Sequence, residues 1–264
     1  MIRLARNEYA GTHAVTEGQA SISEILACFV TGTSWNDVAG QAHEAKRSIL
    51  NFFATALGSS ADPAVAMALA TLAPFSGPRA CAIIGRDERL DPLGAAFVNA
   101  ISANLLDFDD THLETIIHPA APVAAAVLAL AETLGCSGRD VLTAFILGVD
   151  IECRIGSAVS PGHYARGWHI TSTCGVFGAA AAACRLMGLP ANKIAHALGI
   201  AASQSAGLVK TCRVRPRTSA SAMRRETESF RHCWRKAVTR PRRVRSRGRS
   251  AGRAPWEIRP TSDG

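Results

Sequence analysis

The sequence predicts an all-α fold, a helical bundle of about eight helices over residues 21–209. Apolar residues recur three and four positions apart in one segment after another, which is the period of a helix with one buried face. Asp-Pro steps, glycines and prolines separate these segments. Alanine is frequent within them, so the helices can approach each other closely. Residues 81–85 form a single strand-like link.

The predicted order of the helices follows from the residues that separate the apolar segments. Residues 1–20 lack periodicity and are predicted to form a loose leader. The Asp62-Pro63 and Asp91-Pro92 steps each give an N-cap carboxylate followed by proline at the first helical position. Gly58 and Gly135 are expected to end the helices before them. The predicted helices span 25–30, 37–57, 64–72, 92–106, 123–134, 141–158, 171–187 and 192–206.

The net charge of +8 is an average of two unlike parts of the chain. Residues 1–209 carry 12 Lys and Arg against 17 Asp and Glu, a net charge of −5. Residues 210–264 carry 17 against 4, a net charge of +13, and they contain none of the twenty leucines. A segment of this composition cannot bury a core, so residues 210–264 are predicted to form no domain.

Several functional classes lack support in the sequence. The eight cysteines have no C-x-x-C spacing and most stand in apolar segments, Cys28 among them, which predicts buried thiols in a reducing compartment. The first twenty residues are polar and no apolar run is long enough to cross a bilayer, so we predict a cytoplasmic protein without membrane contact. No nucleotide-binding glycine motif and no nucleophile elbow is present.

The stretch from Asp107 to His118 is the densest group of chemically active side chains before residue 209. It carries four carboxylates and two imidazoles between two apolar helices, without glycine or lysine. Such a segment is either a solvated loop or a site where helices direct polar groups into a cleft, and its composition favours the site. Its carboxylates could hold a divalent ion, but no metal-binding spacing frames His112 and His118, so we predict no metal and no cofactor.

A second constellation runs from Gly162 to Gly175. It contains His169 and several hydroxyls where a broken loop enters a long helix. Free amides at a helix N-terminus favour anions, so this arrangement suits a carboxylate ligand. The alternative is structural, with Thr171 and Ser172 capping the helix and Trp168-His169 filling a gap. A bundle could bring both constellations to one cleft.

At these residues the sequence resembles the MmgE/PrpD family. The resemblance rests on D-F-D-D-T at 107–111 followed by His118-Pro119, and on G-W-H-x-T-x-T-x-G at 167–175, and it covers about residues 22–209. It implies a helical domain that dimerises, a smaller α+β lid from later sequence, and cofactor-free chemistry on small polycarboxylates. The family contains 2-methylcitrate dehydratase, cis-aconitate decarboxylase and iminodisuccinate epimerase.

The resemblance implies that Asp107, Thr111, His118 and His169 are active-site residues. We expect a dehydratase-type lyase that eliminates water from a hydroxy-polycarboxylate, with decarboxylation or epimerisation as alternatives. The two histidines are the expected acid and base, because imidazole titrates near neutral pH. Asp107 would orient an imidazole and Thr111 would hydrogen-bond substrate. The sequence does not decide which histidine is the base.

The resemblance stops at Lys210, where the family continues with a Gly-Thr-Met-x-Lys-like segment. Here an Arg-rich sequence follows, typical of a GC-rich gene read out of frame, and we expect the catalytic lysine and lid to be missing. Two other readings remain open. The first is an inactive subunit that only dimerises, and the second is a tail that acts as a basic arm and binds polyanions without specific nucleic-acid recognition.

Overall fold

The computed structural model describes residues 20–209 and confirms the all-α class. Within these residues ten α-helices, two 3₁₀ turns and one small hairpin follow each other along the chain. The helices are α1 (Ile22–Gly32), α2 (Trp35–Val38), α3 (Ala42–Ser59), α4 (Pro63–Leu72), α5 (Pro92–Asn104), α6 (Ala120–Leu134), α7 (Gly138–Val159), α8 (Gly162–Ala165), α9 (Ile170–Leu186) and α10 (Ala191–Gln204). The predicted leader up to residue 19 and the tail from residue 210 lie outside the described residues.

The predicted helix starts are confirmed by their caps. The side chains of Asp62 and Asp91 accept hydrogen bonds from backbone amides in the first turns of α4 and α5. Ser137 caps α7 reciprocally with Asp140, which satisfies two amides that a helix terminus otherwise leaves unpaired. These local signals fix where the helices begin.

Helix α6 lies at the centre of the bundle, where it packs against α5, α7 and α9. Eight of its residues are buried and six of these are alanines, so the neighbouring helices come close to its axis. Helices α7 and α9 approach each other most closely at Gly148 and Gly178, where a Cβ on either residue would lie 2.7 Å from the backbone oxygen of the other. The predicted close approach therefore depends on glycine as well as on alanine.

The structure corrects several of the predicted elements. The helix predicted over 37–57 is divided into α2, a 3₁₀ turn (Ala39–Gln41) and α3, and α3 continues past Gly58 to Ser59. The strand-like link is strand β1 (Cys81–Ala82), which pairs antiparallel with a second strand, β2 (Arg89–Leu90), that the sequence analysis missed. The short helix α8 was missed as well. Two-residue strands and one-turn helices carry too few residues for a hydrophobic period to reveal them.

Cys28 corrects the prediction about the cysteines. Cys81, Cys153, Cys174 and Cys184 are buried free thiols as predicted, whereas Cys28 is exposed. Helix α1 lies at the edge of the bundle and turns Ala27 and Val30 toward α10, which leaves its other face open.

Within residues 20–209 no single helix is long and apolar enough to cross a membrane. One pair of segments, Trp35–Ser59 and Pro63–Phe75, meets that test only when the two are joined across a 93° bend.

Candidate active site

The loop between α5 and α6 carries the first predicted group of site residues. Helix α5 ends at Asn104, and Asp107 then takes a left-handed backbone conformation with φ of 51°, which turns the chain into the loop. A backbone bridge between His112 and Ile117 closes a tight turn farther along. The loop leads into Pro119 and the start of α6, so His118 stands directly before a buried helix.

The Nδ1 atom of His118 faces three oxygen atoms of its own loop. It lies 2.9 Å from the backbone oxygen of Asp110, 3.2 Å from the Thr111 hydroxyl and 3.6 Å from Oδ1 of Asp109. A carbonyl oxygen only accepts hydrogen bonds, so Nδ1 carries a proton and donates it to Asp110. In neutral His118 the lone pair is then on Nε2.

Asp109 is a buried carboxylate beside this imidazole. Its side chain is 1% exposed, and Oδ2 accepts a hydrogen bond of 2.9 Å from Asn104. Oδ1 has no hydrogen bond within residues 20–209. Burial raises the pKa of Asp109, an effect that the charge of His118 and the Asn104 hydrogen bond oppose. Asp109 therefore offers a desolvated negative charge where His118 would carry a positive one.

His169 forms the N-cap of α9. Its Nδ1 lies 2.6 Å from the Ser172 hydroxyl and accepts a hydrogen bond of 3.4 Å from the Ser172 amide. Because this amide donates, neutral His169 carries its proton on Nε2, the opposite tautomer to His118. Burial and then the charge of His118 lower the pKa of His169, while Asp107 and Asp109 act against this shift.

The two constellations are in direct contact with each other. The amide of His118 donates a hydrogen bond of 3.0 Å to the hydroxyl of Thr171, two residues after His169. The charges of His118, Asp107 and Asp109 all act on His169. The amide of His169 in turn donates to the backbone oxygen of Gly207, 3.1 Å away, which ties the start of α9 to the end of the described chain.

All four predicted site residues lie in this region, although their contacts differ from those expected. The oxygens that contact His118 belong to Asp109, Asp110 and Thr111, whereas Asp107 is exposed at the edge of the group. Ligand atoms of Asp107, Asp109 and His118 lie within 4.8 Å of one another, close enough to hold a metal ion. Since Nδ1 of His118 is already a hydrogen-bond donor, Nε2 is the atom of this ring that has a lone pair for a proton or a metal ion.

Sequence reasoning missed the groups that support the loop. Ser48 of α3 donates a hydrogen bond to the Asp110 carboxylate, whose Oδ1 also accepts from the Ala120 amide at 3.0 Å. Ser48 gives no signal by itself, being one serine in an amphipathic helix. Glu152 of α7 is fully buried, and an acidic residue on the apolar face of a predicted helix is a signal that could have found it.

A cavity of about 360 Å³ lies behind the same loop, between α1, α2, α3 and α7. Apolar side chains such as Phe29, Phe145 and Leu147 line most of it, and Asp110 and Thr111 form part of its wall. Asp107, His118 and His169 do not line it. The cavity is therefore separate from the two imidazoles.

Comparison with known proteins identifies a family and several relatives. A family model for the MmgE/PrpD N-terminal domain matches residues 24–225. The chain is 36% identical over 141 residues to cis-aconitate decarboxylase of Aspergillus terreus, covering 51% of this chain and 29% of that protein. It is 30% identical over 207 residues to the cis-aconitate decarboxylase-like protein oryM of Aspergillus oryzae, covering 75% and 42%. With human cis-aconitate decarboxylase the identity is 39% over 125 residues, covering 45% and 26%.

These matches also differ in how much of each protein they cover. The chain covers less than half the length of each of these relatives. The family match also continues sixteen residues past residue 209, where the sequence analysis placed the end of the resemblance. Because the match covers most of the chain and includes both histidine-bearing segments, this protein belongs to the MmgE/PrpD family.

Proposed function

We propose that residues 20–209 provide the proton-transfer part of a lyase site that decarboxylates a small polycarboxylate of the cis-aconitate type. The observation that carries this proposal is the pairing of His118 and His169, which hold opposite tautomers around the same carboxylates. The relatives, which are named as cis-aconitate decarboxylases, favour loss of CO₂ over the loss of water that we expected from the sequence.

The chemistry of such a substrate defines what the site must do. When the carboxylate on the CH₂ group beside a C=C double bond leaves as CO₂, the electron pair of the broken C–C bond forms a new double bond to the central carbon, and the pair of the original double bond moves to the far alkene carbon. The far alkene carbon then takes up a proton, which a positioned acid must supply. His118 suits this role, since Nε2 can carry the proton while Asp109 stabilises the imidazolium at Nδ1.

His169 suits a different role in the same reaction. Its pKa is lowered, so it is neutral at neutral pH and presents Nε2–H as a hydrogen-bond donor. A neutral donor can hold a substrate carboxylate without carrying charge itself. The charge of Asp107 acts on the imidazole of His169, so we assign Asp107 to that ring and not to His118. For Thr111 we keep the expected hydrogen bond to the substrate.

Elimination of water is the second candidate, and the same pair of tautomers favours it. Dehydration of a hydroxy-polycarboxylate needs one group with a lone pair to remove a proton from carbon and one donor to protonate the leaving hydroxyl. Nε2 of neutral His118 and Nε2–H of His169 meet these two needs. Product analysis separates the two reactions, because only one of them releases CO₂.

The charge of the loop limits what this segment can do alone. Residues 107–118 carry four carboxylates, which repel an anionic substrate, and Arg166 is the one arginine or lysine in the segment from 162 to 175. We expect further cationic groups from sequence beyond residue 209 or from a second subunit of a homodimer. Translating the downstream DNA in the other frames would show whether a Gly-Thr-Met-like segment and a lid follow.

The test is an assay of the chain, and of any longer product of the same gene, with cis-aconitate and with 2-methylcitrate. We expect CO₂ release from cis-aconitate and at least a hundredfold loss of turnover in His118→Gln. Turnover of 2-methylcitrate but not of cis-aconitate would show that the reaction is dehydration and not decarboxylation. No turnover of either substrate by the longer product would reject the proposal and leave a helical subunit without activity.

A further inference from the structure

Asp110 connects the site loop to two helices. Its backbone oxygen accepts the Nδ1–H of His118 at 2.9 Å, its Oδ1 accepts the Ala120 amide at the start of α6, and its Oδ2 accepts the Ser48 hydroxyl of α3. Ser48 is buried, so this last bond joins the loop to the interior of the bundle. A residue fixed at its side chain in this way also has a fixed backbone oxygen.

We propose that Asp110 is a positioning residue, which holds His118 in the tautomer with the proton on Nδ1 and so directs Nε2 toward the substrate. The inference deepens the proposed function and rests on it for the role of Nε2, but the tautomer can be measured without any substrate. Asp110 acts through His118 and is not itself a catalytic residue.

The surroundings of Nδ1 support a single tautomer. Its shortest contact is a carbonyl oxygen, which cannot donate. The hydroxyl of Thr111 donates toward the backbone oxygen of Asp109, 3.4 Å away, and is therefore an acceptor for His118 as well. Because all of these neighbouring oxygen atoms accept hydrogen bonds, Nδ1 is protonated as long as the loop keeps this conformation.

Glu152 is a second buried carboxyl group, and the charge of Asp110 acts on it. It is fully buried where α7 meets α9, and neither carboxyl oxygen has a hydrogen bond within residues 20–209. Glu152 fits at this position because residue 175 is a glycine. A Cβ on Gly175 would lie 3.3 Å from Oε1 of Glu152 and 2.7 Å from the Pro122 ring. No donor stabilises a charge on this carboxyl.

Of the two carboxyl groups, Asp110 and Glu152, one is ionised and the other is protonated. Burial raises the pKa of Asp110 to about 6, although the hydrogen bonds from Ser48 and Ala120 oppose this rise, and Glu152 has no donor within residues 20–209. At pH 7.5 Asp110 is therefore the ionised member and Glu152 keeps its proton. Burial, followed by the charge of Asp110, raises the pKa of Glu152 well above its usual value. The other titratable groups that interact with Glu152 are Cys153 and Cys174, whose thiols are neutral at pH 7 because burial raises their pKa. A charged Glu152 would repel Asp110 and loosen its hold on the loop.

The first experiment measures the tautomer of His118 by ¹⁵N NMR of imidazole nitrogens at pH 7.5. We expect Nδ1–H alone in the wild-type chain and in Asp110→Asn, because asparagine keeps an acceptor for Ala120 and can donate to Ser48. Asp110→Ala should give a mixture of tautomers and at least a tenfold lower kcat with KM changed less than threefold. Asp140→Ala, which removes an exposed helix cap far from the loop, should leave the tautomer unchanged.

Wild-type His118 with its proton on Nε2, or an unchanged tautomer in Asp110→Ala, would overturn the inference. If Asp110→Ala fails to fold, the wild-type tautomer and Ser48→Ala, which removes one anchor, still decide it. Absence of turnover in every variant, with the expected tautomers, would count against the proposed function and leave the positioning role supported.

The second experiment measures the unfolding equilibrium of Glu152→Gln against wild type between pH 6 and 8. A protonated Glu152 in the folded chain and an ionised one in the unfolded chain make wild-type stability fall with rising pH, by up to tenfold in the equilibrium constant per pH unit. Glutamine cannot ionise, so the variant should lack this contribution while those of Asp110 and His169 remain, and the wild-type stability minus that of the variant should fall with rising pH. An identical pH dependence in both proteins would show that Glu152 is charged in the fold and would contradict the charge assignment.

Discussion

At the scale of single residues, His169 has a structural role and a proposed chemical role on the two nitrogens of one ring. Its Nδ1 accepts the Ser172 amide and caps α9, while Nε2 is the atom left for substrate. The sequence analysis weighed a helix cap against a functional histidine as alternatives. The structure shows that the cap is His169 itself, so a simple alanine substitution would remove both roles at once.

Replacing His169 with asparagine should separate these two roles. Asparagine is a good N-cap, so His169→Asn should fold with nearly wild-type stability, whereas His169→Ala should lose about 1 kcal/mol in free energy of unfolding. Both variants should lose turnover by about a hundredfold or more, since both lack the imidazole. Urea unfolding and steady-state kinetics on the same samples check this. Full activity in His169→Asn would remove His169 from the site.

The lowered pKa of His169 predicts how stability depends on pH. The folded value lies below the ordinary value of 6.5, so the unfolded chain binds more protons in between. The contribution of His169 is therefore complete above about pH 6.5 and is lost as the pH falls through the folded pKa. Wild type minus His169→Asn, measured by urea unfolding from pH 5 to 7.5, should show a difference that grows with pH. A flat difference would contradict it.

At the scale of elements, close packing decides how α7 and α9 deliver their side chains to the site. Helix α9 begins with His169 and Thr171, and α7 carries Glu152 on its buried face. The two helices touch through Gly148 and Gly178, where neither tolerates a larger side chain. The distance between their axes is set there, in the middle of both helices, and not at the loop.

Gly148→Ala should destabilise the protein by roughly 1–3 kcal/mol, because the new methyl group would meet the Gly178 backbone oxygen and Val123 at 2.7 Å. Gly199→Ala is the matched control in α10, where the position is exposed and nothing lies within 4 Å. That change should stabilise by roughly 0.5–1 kcal/mol through helix propensity. Urea unfolding measures both, and a Gly148→Ala protein as stable as wild type would show that the helices can separate freely.

At the scale of the whole molecule, the chain consists of a helical part with a net negative charge and an arginine-rich part that begins near residue 210. The two differ in composition abruptly, since all leucines lie before residue 209. The family match nevertheless continues to residue 225. Composition therefore predicts a domain boundary near 209, whereas the family match extends to 225.

Truncation distinguishes these boundaries. If residues 210–264 contribute no packing, chains ending at 209 and at 225 should unfold at the same Tm as the full chain, measured by circular dichroism. If residues 210–225 complete the helical domain, only the chain ending at 209 should melt earlier. A loss of Tm in both truncated chains would show that the arginine-rich part stabilises the fold, contrary to our prediction.

The sequence by itself determined the helical class, the capped helix starts and the two segments that hold the histidines. These features are local, since a period of apolar residues, an Asp-Pro step or a dense polar loop is legible within a dozen residues. Only the tertiary structure decided that the segments of His118 and His169 are joined by a hydrogen bond and that the hydrogen bonds of the two rings assign opposite tautomers. It also decided that Ser48 and Glu152, 104 positions apart in the chain, both lie beside Asp110. These properties arise from burial and from contacts between residues distant in sequence. The residues that flank each of these side chains in the sequence therefore do not reveal them.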